Sequence, residues 1–279
     1  MRIAIMTDLE GVAGVVNFKD WISEEGRYYE QGKIFLTEEV NAAIRGFFDA
    51  GATECFVIDG HGHGAINTAL LDERALYSRG WARIHEFGLS AGFDALAFVG
   101  QHAKSGTKRG HLTHTGDPAV LEVRLNGISV GEYAQNVFIA GAYGTPVIFA
   151  SGDRALCEEA KELTPFVYTA ETKYGVTLDD GKHCTTEEYW VHNLGAVHVH
   201  PNVARARIYE GAKASLEDYI LNPDKFVPLK LEPPFVRECW IRASKDRAAH
   251  KWIKRHESDI IEMYSAPFEM FEEGEYDLP

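Results

Sequence analysis

The sequence lacks the features that would connect it with nucleic acids or membranes. Its 28 basic residues are outnumbered by 42 acidic residues, and a formal net charge of -14 at pH 7 repels phosphate backbones. No apolar run approaches the ~18 residues that a membrane span requires. The N-terminus has neither the basic region nor the cleavage site of a signal peptide. We therefore expect a cytoplasmic protein with no nucleic-acid or membrane partner.

Cysteine is also scarce. Four cysteines are scattered along the chain without C-x-x-C spacing, which argues against a disulfide scaffold and against a cysteine zinc site. Internal repeats and low-complexity tracts are lacking as well. The 279 residues contain 45% hydrophobic and 25% charged residues, which is ordinary for a globular protein. This length suits one large domain or two modest ones.

Short apolar runs alternate with helical patterns as far as about residue 164. Residues 2–6 predict a first strand, and a helix capped by Thr37 is expected to end at Gly51. A second strand over residues 54–59 completes a βαβ unit, and Asn126-Gly127 predicts a hairpin. The pattern indicates an α/β fold with a mostly parallel central sheet flanked by helices.

The remainder of the chain is less regular and predicts a smaller α+β C-terminal part. Residues 171–195 resemble an extended, partly polar insertion, residues 246–255 a basic helix, and residues 269–279 a loosely ordered acidic end. We expect residues 1–164 to form a metal-binding catalytic domain. Residues 165–279 would then supply the substrate pocket and the oligomer contacts.

Candidate metal ligands follow three successive strands. Asp8 and Glu10 come after the first strand, where two carboxylates two positions apart point the same way along an extended backbone. His61 follows the second strand and His102 the third, and ligands bind at the carboxyl ends of strands in such sheets. Glu132, in the first turn of a helix, is a fifth candidate. Taken singly, carboxylates in this pattern more often form a solvated acidic turn, and a lone histidine in a glycine-rich loop is more often a hydrogen-bonding or surface residue.

Together they form an N/O donor set that suits Zn²⁺, Mn²⁺ or Co²⁺. Five ligands are too many for one open tetrahedral zinc ion, but they suffice for two ions if one carboxylate bridges. Two metals roughly 3.5–4 Å apart hold a bridging hydroxide and polarise a carbonyl. His63 is the alternative to His61 as a metal ligand. Asp59 is either a hydrogen-bond partner that orients a ligand imidazole or a turn cap.

His114 lies in the loop after the His102 strand. It suits a general acid/base that passes a proton to the leaving amine, or a donor to a tetrahedral oxyanion. His111 is the alternative nearby.

These residues resemble the DppA-type D-aminopeptidase family of zinc metallopeptidases. The matching motifs occur in the family's order over residues 1 to about 164. They are Asp8-Leu9-Glu10-Gly11-Val12-Ala13-Gly14, Asp59-Gly60-His61, Gly100-Gln101-His102-Ala103, Thr113-His114-Thr115 and Val130-Gly131-Glu132.

The resemblance implies that Asp8, Glu10, His61, His102 and Glu132 bind two zinc ions, with Asp8 as the bridge, and that His114 is catalytic. It further implies removal of an N-terminal D-amino acid from short peptides by a ring-shaped homodecamer. The alternatives are an amidase, an L-aminopeptidase, or a non-catalytic protein that binds metal or peptide. A haloacid dehalogenase-like phosphatase fits poorly, because that fold requires aspartate at the position of Glu10.

Overall fold

Two β-sheets and seven α-helices make up the part of the chain that the computed structural model describes, residues 1–80 and 86–279. The strands are β1 (Arg2–Thr7), β2 (Glu54–Asp59), β3 (Leu76–Ser78), β4 (Ala95–Gln101), β5 (Val120–Leu125), β6 (Ile128–Ser129), β7 (Val147–Asp153), β8 (Tyr168–Gly175), β9 (Ala196–His198), β10 (Phe235–Ile241), β11 (His250–His256) and β12 (Phe268–Glu272). The helices are α1 (Phe18–Trp21), α2 (Tyr29–Asp49), α3 (Glu132–Ala142), α4 (Arg154–Leu163), α5 (Thr186–His192), α6 (Pro201–Leu221) and α7 (Ile260–Ser265).

The first sheet has seven strands in the order β3-β2-β1-β4-β7-β8-β9. All its neighbours are parallel except β8 and β9. β4 is buried along its whole length, as expected for parallel strands covered on both faces. The predicted fold class is confirmed. Because the chain runs from β1 to β2 on one side and later returns to β4 on the other, a topological switch point lies beside β1. Ligands bind in the crevice at such a point.

The prediction that Thr37 caps the second helix is wrong. α2 begins at Tyr29, and Thr37 lies inside it, where its Oγ1 donates to the Lys33 carbonyl at 2.7 Å. A threonine inside a helix commonly makes this bond to the carbonyl four residues earlier. Tyr29 and Gly32 are buried and extend the apolar face towards the N-terminus. The end of the helix is as predicted, with Gly51 at φ +101°.

The second sheet is antiparallel throughout, in the order β12-β11-β10-β5-β6. It overturns two predictions. Residues 250–255 of the expected basic helix lie in β11, and residues 269–272 of the expected loose end lie in β12. β11 is held on both sides, since Trp252 pairs with Cys239 of β10 and with Met270 of β12. Such pairing outweighs a local helical pattern.

Each of the two sheets contains strands from both halves of the chain. β8 and β9 extend the first sheet, whereas β5 of the N-terminal half pairs with β10. Residues 171–195, expected to be an extended insertion, include the end of β8 and all of α5. None of the helices described is both long and apolar enough to cross a membrane.

Buried polar residues hold the loop that follows β1. The Nζ of Lys173, on β8, is fully buried and donates to the Val15 carbonyl at 3.0 Å. Glu39, inside α2, accepts a hydrogen bond from the Ala13 amide at 3.0 Å. Elements from both halves of the chain therefore fix this loop.

Candidate metal centre

The structure brings all six predicted site residues into one cluster. Asp8 and Glu10 follow β1, His61 follows β2, and His102 follows β4. Their donor atoms form two groups, within each of which the atoms lie less than 4.8 Å apart. The groups are Asp8, Glu10 and His61, and His102, His114 and Glu132.

Asp8 lies between the two groups. Its Oδ1 is 3.0 Å from His61 Nδ1, and its Oδ2 is 3.3 Å from His102 Nε2. Glu10 Oε2 lies 3.3 Å from His61 Nδ1, and Glu132 Oε1 lies 3.4 Å from His102 Nε2. Asp8 and Glu10 each face both groups with different oxygens, but the contacts of Asp8 are shorter, since Glu10 Oε1 lies 3.9 Å from His114 Nε2.

Two glycines allow this close approach. A Cβ on Gly100 would lie 2.1 Å from the Asp8 carbonyl oxygen, and one on Gly11 would lie 2.0 Å from that of Gln101. Backbone hydrogen bonds join the two segments, with Gly11 N donating to Gly100 O at 2.8 Å. The loop after β1 can therefore pack directly on the end of β4, and this brings Asp8 next to His102.

Each of the three imidazoles is oriented by a backbone carbonyl. His61 Nε2 is 2.7 Å from Ile22 O, His102 Nδ1 is 2.9 Å from Ala103 O, and His114 Nδ1 is 3.0 Å from Leu112 O. A carbonyl oxygen only accepts hydrogen bonds, so these nitrogens carry the protons. In the neutral rings the opposite nitrogens present lone pairs to the carboxylates. Metal-binding histidines have this arrangement.

Two buried atoms of the cluster, Glu10 Oε2 and His102 Nε2, have no hydrogen-bond partner among the described residues. A buried polar atom without a partner is costly. Both atoms face other electron-pair donors across the cluster, so a cation between them would satisfy both. The donor set is nitrogen and oxygen only, which suits zinc and similar divalent ions. The residues present thus fit a metal.

The carboxylates and imidazoles of the cluster shift one another's pKa values. Burial alone would lower the pKa of His61, but the charge of Glu10 and the hydrogen bond to Asp8 outweigh it and raise this pKa well above its usual value. The pKa of His102 is likewise raised, by Glu132 and Asp8 against burial. Burial favours a higher pKa for Asp8, but the nearby imidazoles of His102 and His61 lower it strongly.

Several neighbours of the cluster had not been predicted. Gln101 Nε2 donates to Asp8 Oδ2 at 2.9 Å, and the Gly116 amide donates to Glu132 Oε1 at 2.7 Å. Gln101 could have been found from the sequence, because it lies directly before His102 at a strand end. Asn193 donates to the Thr113 carbonyl at 3.1 Å and so supports the loop that carries His114. No local pattern marks Asn193 for this role.

The competing residues lie elsewhere. His63 is exposed, and His111 is buried with its Nε2 3.0 Å from the Val16 carbonyl. Asp59 caps the turn after His61, accepting from the Ala65 amide at 3.0 Å. It therefore fits the turn-cap interpretation.

A cavity of about 180 Å³ opens beside the cluster. Its lining includes residues from both halves of the chain, among them Asp8, Glu132, Gln135, Asn136, Arg237 and Tyr264. The cluster is thus reachable by a small molecule.

Comparison with known proteins gives three matches. The peptidase M55 family, described as D-aminopeptidase, matches residues 1–258. A D-aminopeptidase of Bacillus subtilis (strain 168) is 31% identical over 185 residues, which span 63% of this chain but only 65% of that protein. The solved structure of the Zn-dependent D-aminopeptidase DppA from Bacillus subtilis, a self-compartmentalizing protease, has a TM-score of 0.76 at 23% identity. That match covers 95% of this chain and 94% of the other.

The structural match shows a shared fold, and the family match extends over nearly the whole chain. The family predicted from the sequence motifs is confirmed. The chain belongs to the peptidase M55 family of D-aminopeptidases.

Proposed function

We propose that this protein is a zinc aminopeptidase that removes the N-terminal D-amino acid from short peptides. The observation that carries the proposal is the orientation of the imidazoles. Three carbonyl-anchored rings direct their remaining nitrogens at three carboxylates, with no hydrogen-bond donor from the described chain for Glu10 Oε2 or His102 Nε2.

We assign two zinc ions to the cluster. Asp8, Glu10 and His61 would hold one ion, and His102 and Glu132 would hold the other together with Asp8. Bound zinc supplies Lewis acidity towards a peptide carbonyl and a water-derived nucleophile at neutral pH. Mn²⁺ and Co²⁺ suit the same donors. Gln101, through its bond to Asp8 Oδ2, would keep the shared carboxylate in place.

His114 is proposed to carry a proton to the leaving amine. Its Nδ1 is anchored on Leu112 O at 3.0 Å, and its Nε2 lies 3.7 Å from Glu132 Oε1 and 3.9 Å from Glu10 Oε1. The anchored ring can therefore exchange a proton at Nε2 without turning. The same position would also suit a further metal ligand, and the metal content of a His114 variant separates the two roles.

Residues 165–279 are proposed to supply the substrate pocket and the oligomer contacts. Arg237 and Tyr264 line the cavity, which supports the first assignment. Val176, Leu178 and Val191 are more than half exposed and offer apolar surface for the second. We propose a ring-shaped homo-oligomer, and light scattering would test it. The description of the structural relative as a self-compartmentalizing protease supports an oligomer. The four cysteines, all free and buried, suit our expectation of a cytoplasmic protein.

The test combines metal analysis with a substrate panel. Protein purified without chelators should contain about two equivalents of zinc by mass spectrometry. It should hydrolyse D-aminoacyl dipeptides faster than their L-counterparts or simple amides. Less than one equivalent of metal, with no hydrolysis after reconstitution, would refute the proposal. Faster cleavage of L-peptides or amides would instead favour an L-aminopeptidase or an amidase.

A further inference from the structure

We propose that Arg237 binds the free C-terminal carboxylate of the peptide, which makes the enzyme selective for very short peptides with an unblocked C-terminus. This inference rests on the proposed function and assigns a specificity to the cavity beside the metal ligands.

Arg237 is connected to the cluster through Gln135, a residue of the same helix, α3, that carries Glu132. Its Nε donates to Gln135 Oε1 at 3.3 Å, and Gln135 lies one helical turn after Glu132. Side chains three positions apart share one side of a helix. Arg237, Gln135 and Glu132 also line the same cavity. Gln135, the residue that Arg237 contacts, is therefore displaced by roughly 4.5 Å along the helix axis from Glu132, a predicted metal ligand.

That spacing suits the end of a short peptide. Each residue of an extended peptide adds roughly 3.5 Å. A carboxylate one or two residues beyond the scissile carbonyl would therefore reach Arg237 while that carbonyl stays at the cluster. The cavity of about 180 Å³ is small, whereas drug-sized ligands occupy pockets of roughly 300 Å³ or more. The size favours small residues.

The charge of Arg237 has no counterpart in the part of the chain that is described. Although the sequence carries 42 acidic residues, no carboxylate within residues 1–80 and 86–279 forms an ion pair with it. Its guanidinium is instead held over the rings of Trp252, at 4.6 Å, and Tyr264, at 5.4 Å. The Tyr264 hydroxyl donates to the same Gln135 oxygen at 3.2 Å.

The arginine is thus held in position but not neutralised. A planar guanidinium pairs with a carboxylate through two parallel hydrogen bonds, which a lysine cannot reproduce. Arg237 is therefore the site at which the substrate's own carboxylate is best accommodated.

The experiment compares D-alanyl-D-alanine with its C-terminal amide in the zinc-loaded enzyme. The wild type should prefer the free acid by about 10- to 100-fold in kcat/KM, the range expected for a charged hydrogen-bonded pair. Arg237→Gln should lose this preference through a higher KM for the acid, with kcat/KM for the amide within threefold. Arg237→Lys should retain part of the preference, because lysine keeps the positive charge but cannot form the two parallel hydrogen bonds of a guanidinium.

Arg124→Gln is the matched control. Arg124 also lies in the second sheet and over a tryptophan ring, 5.2 Å from Trp240, but its Nε pairs with Glu122 and it does not line the cavity. This variant should keep the wild-type preference. Equal cleavage of acid and amide by the wild type would overturn the inference and leave the proposed function intact. An equal loss on both substrates in both Arg237 variants would also overturn it. Failure to cleave either substrate would instead count against the proposed function.

Discussion

The rings of His102 and His114 are stacked, with their centroids 4.0 Å apart and their planes inclined by 12°. Both rings direct Nε2 at the same oxygen, Glu132 Oε1, at 3.4 Å and 3.7 Å. A predicted metal ligand and the proposed proton carrier therefore share one carboxylate. Proton transfer by His114 would take place directly beside the metal.

Replacing His114 by alanine should separate proton transfer from metal binding. The variant should keep both zinc ions, because the five remaining ligands are intact, but kcat should fall by about 10²- to 10⁴-fold. Metal content by mass spectrometry and steady-state kinetics check both parts. His63→Ala, at an exposed histidine outside the cluster, is the control and should behave as the wild type. Loss of one zinc equivalent in His114→Ala would identify His114 as a ligand instead.

Asp8→Asn should disrupt both metal positions at once. Asparagine keeps the shape of aspartate but loses the charge, and Asp8 faces both groups of ligands. We expect less than one equivalent of bound zinc and a fall in kcat/KM of at least about 100-fold, since metal activation contributes several kcal/mol. Asp117→Asn, at an exposed position, controls for the lost charge. Retention of two equivalents would show that Asp8 is not shared.

Gln101→Leu should weaken zinc binding without removing a ligand. The substitution deletes the 2.9 Å hydrogen bond to Asp8 Oδ2, and loss of such outer contacts typically costs 10- to 100-fold in metal affinity. Competition with a chelator measures the affinity. Gln31→Leu, at an exposed site on α2, should leave it unchanged. Wild-type affinity in Gln101→Leu would contradict the role assigned to this bond.

Glu39 should make folding stability depend on pH. Burial raises the pKa of its carboxyl from 4.5 to about 8, against the hydrogen bond from Ala13 and the charges of Lys173 and Arg205. The folded protein therefore keeps this proton where the unfolded chain has lost it. The resulting stabilisation is complete below pH 4.5 and is lost as the pH rises through about 8.

Urea unfolding of chelator-treated wild type and Glu39→Gln at several pH values tests this expectation. Because glutamine does not titrate, the stability difference between the two proteins should change by a few kcal/mol across the window, at about 1.4 kcal/mol per pKa unit. Glu38→Gln, at the neighbouring and more exposed position, should follow the wild type. Parallel curves for wild type and Glu39→Gln would show that Glu39 ionises in the folded protein as it does in the unfolded chain.

The sequence predicted those parts of the fold and site that depend on local patterns. Strand ends in a parallel sheet meet at one edge, so the order of the strands was enough to place Asp8, His61 and His102 together. β11 could not be predicted in this way, because its conformation follows from pairing with β10 and β12. Arg237 is likewise brought to the cavity by the pairing of β10 with β5, from a region more than a hundred residues after Glu132 in the chain.

The bond between Lys173 and the Val15 carbonyl sets an order for biosynthesis. The loop with Asp8 and Glu10 is translated before its anchor on β8, which follows more than 150 residues later. A nascent chain that has not yet extended past β8 contains the first two predicted ligands without the strand that holds their loop. Metal loading is therefore expected to follow translation of β8, after the sheet around β1 has closed.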